Sequence, residues 1–330
     1  MRGFIPLLAL GIGALAGPPL AAQQAQPSSI KPPIAAAPAA APALDVLAIS
    51  ERTDRMTVPV TIGPHGPFPF IVDTGAERSV VSRELAGYLK LLPGTDVKLF
   101  DFTGAAQVAT VKVPSLTAGK LGTPAMEAPQ LLLANIGAPG MLGIDALQGQ
   151  KVVLDFNARR MLLQPARRHA SGDFVVRAQS RTGQLIVTKA WFNNQPIAVI
   201  IDTGSWLSVG NTAMLKLAKK APRSYGPVAI TSVTGRTFSA NFVAVSNVKI
   251  DSVRFDNFGM VFADVPPFDR FGLRDTPALI LGMSSLKLFG RVELDFLNRE
   301  IGFSLPRPQI DFHNVCRNAS AACKSIAPSS

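Results

Sequence analysis

The sequence predicts an all-β protein built from two similar lobes, and three observations lead there. A short word occurs twice, as Ile71-Val72-Asp73-Thr74-Gly75-Ala76 and as Ile200-Ile201-Asp202-Thr203-Gly204-Ser205. Each copy is followed at a distance by two apolar residues and a glycine, Met141-Leu142-Gly143 and Ile280-Leu281-Gly282. A matched apolar strand comes next in each half, Val152-Val153-Leu154-Asp155-Phe156 and Val292-Glu293-Leu294-Asp295-Phe296. The order of parts is the same in both halves, so the repeat fixes two units before any strand is assigned. Between the landmarks, short β-branched runs are broken by Gly, Pro and Asn, which is the pattern of hairpins.

From the N-terminus, Arg2 precedes an apolar run, and Leu20-Ala21-Ala22 offers small residues for cleavage. Residues 1–22 therefore read as a secretory signal peptide, with an uncleaved membrane anchor as the alternative. Residues 23–44, mostly Ala, Pro, Gln and Ser, cannot bury a core and read as a linker. The first lobe is expected over 45–166. Its strands 56–62 and 69–72 flank a turn at Pro64-His65-Gly66-Pro67 and deliver Asp73, and a short helix follows at 83–91. The second lobe is expected over 167–306. Strands 185–192 and 197–201 flank Asn193-Asn194-Gln195-Pro196 and deliver Asp202, with a helix at 212–220. Midway through each lobe an alternating hairpin carries a Thr-Gly pair, Thr103-Gly104 and Thr234-Gly235. The tail, 307–330, holds both cysteines, Cys316 and Cys323, which in an oxidising compartment are expected to close a small disulfide loop. The chain is thus expected to be exported, to the periplasm or beyond.

A carboxylate at the end of an apolar strand costs solvation free energy unless hydrogen bonds or a shared proton compensate it. One Asp-Thr-Gly is an ordinary turn; two in matched positions suggest a pair that meets. Other chemistries find little support. The three histidines, His65, His169 and His313, are isolated, so neither a serine-type triad nor a histidine metal site is indicated, and no metal or cofactor is expected. No glycine-rich phosphate loop occurs between a strand and a helix. The net charge of +11 reads first as solvated surface, and without aromatic-basic interleaving nucleic acid is not an expected partner. No segment after the N-terminus is long and apolar enough for stable membrane insertion once the signal is cleaved.

These motifs resemble those of bacterial retropepsin-like (clan AA) aspartic proteases, across roughly residues 47–305. The resemblance implies two retropepsin-like β-barrel lobes related by a pseudo-twofold axis, with both Asp loops at the seam. One chain carries both halves, so the expected state is a monomer with intramolecular lobe pairing. The implied activity is that of an aspartic endopeptidase, in which Asp73 and Asp202 share a proton and activate a water against an extended peptide. The other reading is a non-catalytic peptide-binding protein using the same cleft. By resemblance Thr74 and Thr203 interlock across the axis, and Gly75 and Gly204 leave room for substrate backbone, their carbonyls serving as acceptors. Ala76 and Ser205 complete the loops, Gly143 and Gly282 sit beneath them, and Thr103, Gly104, Thr234 and Gly235 form flaps over substrate. Ser205 faces Ala76 at the matched position; its hydroxyl either favours ionised Asp202, extending activity to lower pH, or merely closes the turn. Glu77 and Trp206 also differ, so the two sides of the cleft are expected to accept different side chains.

Overall fold

The computed structural model describes residues 57–166, 168–181 and 183–306, with the backbone of 46–48. The expected signal, the linker, and the tail with Cys316 and Cys323 lie outside the described residues. What is described is an all-β protein of two lobes with a few short helices.

Each lobe opens with the hairpin that delivers its aspartate. In the first, Thr57–Ile62 pairs antiparallel with His65–Val72, and the turn is Gly63-Pro64 rather than 64–67. His65 already pairs with Ile62, and Gly63 supplies the positive φ, +55°, that the tight turn requires. Pro67 and Pro69 are tolerated inside the strand because only residues 70–72 have a partner on the second side. In the second lobe, Gln184–Phe192 and Gln195–Ile201 are joined by Asn193-Asn194 alone, with φ of +51° and +67°. Two positive φ values match the right-handed twist of the strands, and asparagine adopts them readily. Gln195 and Pro196, expected in the turn, belong to the strand.

The apolar-Gly segments explain the repeat. Gly140–Leu142 lies parallel to the first Asp strand, in register Leu142↔Val72, and Ala278–Leu281 lies parallel to the second, Leu281↔Ile201. Each also pairs antiparallel with a short strand just after the Asp loop, Val80–Ser82 or Val209–Gly210. The Asp strands thus have neighbours on both edges. Both faces are buried too: Val72 and Ile201 belong to the main core, whereas Ile71 and Ile200 belong to separate clusters beneath the cleft. That is why these strands read as continuous apolar runs.

The helices are shorter than expected. Arg83–Tyr88 is capped by Ser82 Oγ, which accepts from Leu85 N–H at 3.0 Å, and the chain leaves it through Lys90 at φ +51°. Thr212–Leu215 is capped by Asn211 Oδ1, which accepts from Met214 N–H at 2.8 Å.

The lobes share a sheet. The matched strands Gln150–Asp155 and Arg291–Asp295 pair antiparallel with each other, Val153 opposite Glu293. A segment pairing with its own repeat in this way creates a local twofold relation. Arg160–Pro165 and Glu300–Ser304 flank the pair, then Val46–Ala48 and Phe174–Arg181. Val152, Leu154, Val292, Leu294, Ile301 and Phe303 are all fully buried there. Burial alone would raise the Glu293 carboxyl, but hydrogen bonds from Ser171 and the Lys151 ammonium 3.2 Å away hold it below its ordinary value.

Candidate active site

Asp73 and Asp202 leave their strands at matched points, Asp73 N–H donating to Leu142 O at 2.9 Å and Asp202 N–H to Leu281 O at 3.1 Å. Each side chain then folds over its own turn. Asp73 Oδ1 accepts from Gly75 N–H at 2.8 Å and Ala76 N–H at 3.0 Å; Asp202 Oδ1 accepts from Gly204 N–H at 2.9 Å and Ser205 N–H at 3.1 Å. This local bonding is what Asp-Thr-Gly encodes. The second oxygen of each carboxylate takes no part in these turn bonds, and the two side chains hydrogen-bond to each other.

The structure brings both carboxylates into one buried site. Burial drives Asp202 upward, and the charge of Asp73 adds to it; donors from Gly204 and Ser205 oppose the shift without cancelling it, and the group is pushed up to about 8. Two carboxyls so close titrate as a pair, so one proton is retained into the neutral range.

Thr74 and Thr203 cross between the lobes. Thr74 N–H donates to Thr203 Oγ1 at 3.0 Å and Thr203 N–H to Thr74 Oγ1 at 3.1 Å. Their hydroxyls donate onward to Ile201 O at 2.9 Å and Val72 O at 2.7 Å, backbone of the opposite lobe in both cases. Four buried polar groups are satisfied reciprocally, so removing either hydroxyl strands a backbone N–H and a carbonyl of the opposite lobe.

The glycines have a reason to lack side chains besides the one expected. A Cβ on Gly75 would lie 2.7 Å from Asp202 Cγ, and one on Gly204 would run into the Asp73 carboxylate. Room for the opposing carboxylate excludes a side chain. The Gly75 carbonyl already accepts from the buried Gln184 side-chain amide at 3.2 Å, a contact that nothing in the sequence signalled. A Cβ on Gly143 would meet the Arg78 and Ser79 backbone at 2.5–2.8 Å, and one on Gly282 the backbone of Trp206 and Leu207 at 2.5–2.9 Å.

Beneath the loops stand Ser79 and Ser208, which sequence reasoning passed over although they occupy the same offset after each Asp. Their hydroxyls accept from Gly143 N–H and Gly282 N–H, both at 3.0 Å. Ser79 Oγ donates to Asp145 at 2.7 Å, and Ser208 Oγ bonds to Ser285 Oγ at 2.7 Å. Of the two readings of Ser205 the geometry matches the second: its hydroxyl donates to Leu207 O at 2.8 Å, closing the turn, and its backbone N–H donates to Asp202.

The dyad lies on the floor of a mainly apolar cleft of about 420 Å³. Hairpin Val97–Asp101/Gly104–Val108 roofs it from the first lobe and Arg223–Thr231/Thr237–Val245 from the second. Phe102, Ser232 and Val233 line the cleft at the tips; Thr103, Gly104, Thr234 and Gly235 stand at the tips beside them. The two ends differ. Glu77 accepts from Arg270 Nε and Nη2, each at 2.6 Å, whereas the matched Trp206 carries the Lys287 ammonium 4.6 Å from its ring centre.

An all-β pair of lobes with Asp-Thr-Gly loops meeting at their seam defines the aspartyl protease class of site. Residues 58–149 match the family model described as "gag-polyprotein putative aspartyl protease", and residues 188–285 match the one described as "Aspartyl protease". No curated protein matches the chain. The chain is a two-lobed, retropepsin-like aspartyl protease family protein with one such domain in each lobe.

Proposed function

We propose that this chain is a single-chain aspartic endopeptidase that hydrolyses peptide bonds in extended segments, with Asp73 and Asp202 as its catalytic dyad. The observation that carries the reading is the buried, mutually hydrogen-bonded carboxyl pair at the floor of the roofed apolar cleft. One member ionised and one protonated is the state that can act. The ionised carboxylate takes a proton from a water between the two as the water attacks the scissile carbonyl, while the protonated carboxyl gives its proton to the carbonyl oxygen. Collapse of the resulting diol delivers a proton to the amine nitrogen, breaks the C–N bond and returns the pair to one shared proton. We further propose that segment 1–22 exports the protein and that it works as a monomer.

The test is cleavage of a denatured protein and a peptide library by wild type, Asp73→Asn and Asp202→Asn, with products identified by mass spectrometry. Each substitution is expected to lower kcat by roughly 10³-fold or more. Activity surviving in one variant would contradict intramolecular pairing of the lobes. Peptide binding with no cleavage by wild type at any pH would replace the enzyme with a peptide-binding protein.

A further inference from the structure

We propose that Asp101 is a positioning residue that fastens the two hairpin tips to each other over the cleft, a latch that must part for substrate to be admitted. Its kinetic consequences rest on the protease reading above; the latch itself does not.

Asp101 ends the outgoing strand of the first-lobe hairpin and is buried at the cleft wall. Its two oxygens accept hydrogen bonds from different lobes. Oδ1 accepts from Thr103 N–H at 2.7 Å and Thr103 Oγ1 at 2.6 Å, which closes its own turn. Oδ2 accepts from Thr234 Oγ1 at 2.5 Å, on the opposite tip. That second bond does nothing for the local turn, and it joins residues 133 positions apart. The opposite tip also brings Arg236, whose guanidinium lies 3.6 Å from Oδ1 and donates to Ala105 O at 3.3 Å. Thr103 Oγ1 stands 3.3 Å from Ser232 Oγ. On its other side the second tip packs against the first lobe, where a Cβ on Gly235 would lie 2.8 Å from Asn135 Nδ2.

A buried carboxylate bonded only to its own turn would be a structural cap. One that divides its hydrogen bonds between the turns of two lobes is a fastener. Burial raises the Asp101 carboxyl, but donors from Thr103, Thr234 and Ser232 outweigh that and hold it below its ordinary value. The latch is therefore charged at neutral pH and weakens as pH falls through that depressed value. Other charged groups near the hairpin face elsewhere. Lys98 and Arg270 lie over the Phe100 ring, at 5.3 and 5.2 Å, and Arg270 is paired with Glu77.

Thr234→Val removes the donor and keeps the shape, leaving the Asp101–Thr103 turn intact. Amide hydrogen exchange at 101–105 and 232–236 is expected to quicken about tenfold, the factor for losing one charge-assisted hydrogen bond, while 70–72 stays at wild-type rates. Thr234→Ser is expected to restore wild-type exchange. In a second arm, Thr103→Cys with Ser232→Cys joins the tips by a disulfide. The oxidised form is expected to lose at least tenfold in peptide cleavage and to regain it on reduction, with wild type taken through the same cycle because it holds Cys316 and Cys323. Wild-type exchange at both tips in Thr234→Val, or full activity in the oxidised double variant, would overturn the latch and leave the protease reading standing. If wild type cleaves nothing, the protease reading fails, and hydrogen exchange alone decides the latch.

Discussion

A single methyl group added at Gly75 measures how closely the two Asp loops approach. The new Cβ would lie 2.7 Å from Cγ and Oδ1 of Asp202, where ordinary contact begins at 3.4 Å, so atoms must move by about 0.7 Å. Neither partner is the free end of a flexible side chain. Asp202 is held by Gly204 and Ser205 N–H, and the backbone at 74 is tied to Thr203. The loops themselves must therefore separate. Misplacement approaching 1 Å in a reacting constellation costs about 10²-fold, or roughly 2.7 kcal/mol of transition-state stabilisation. Overpacking a rigid site adds about 1–3 kcal/mol of lost stability. In Gly75→Ala, kcat/KM on a fixed peptide should fall by about 10²-fold with a lowered Tm, and Gly204→Ala, whose methyl meets Asp73 more closely still, should fall further. Gly87→Ala and Gly122→Ala, where no atom lies within 4 Å, serve as controls and should keep wild-type rates. A Gly75→Ala enzyme within threefold of wild type would refute the reasoning.

The raised Asp202 carboxyl places the alkaline limb of kcat/KM near pH 8, with activity kept at pH 7; a profile confined to pH below about 5 would contradict it. Because that carboxyl is raised from 3.8, its contribution to stability is fully present at lower pH and is lost as pH rises toward and through 8. Asp202→Asn should accordingly raise Tm at pH 8 and leave it unchanged at pH 3, as thermal scans at the two pH values would show. Ser205→Ala should leave the acid limb of the pH-rate profile where it is, since the hydroxyl bonds to Leu207 O; a shifted limb would restore a direct role on Asp202.

Much of the fold was legible because its signals are local. Each Asp-Thr-Gly turn is closed by bonds between residues two and three apart, and the delivering strands show themselves as apolar runs ended by turn residues. The turn boundaries were less legible. The strand that begins at His65 holds two prolines, and their tolerance depends on which edge has a partner. Helix ends were overextended for a similar reason: apolar spacing continues past Tyr88 and Leu215, but tight turns end the helices there. Ser79 and Ser208 had a usable signal, their equal offset from each Asp.

By itself, then, the sequence determined that this protein has two halves, each with a strand that presents an aspartate and an apolar-Gly segment to accompany it. Those features follow from alternation, turn chemistry and repetition along the chain. Tertiary structure alone decided why Gly75 and Gly204 must lack side chains, why Gln184 meets the Gly75 carbonyl, and which end of the cleft Arg270 closes. It alone paired Gln150–Asp155 with Arg291–Asp295 and divided the Asp101 carboxylate between two tips. Each of these contacts joins residues far apart in sequence, and their partners are set by how buried surfaces pack and which polar groups must be satisfied there, information no local window contains.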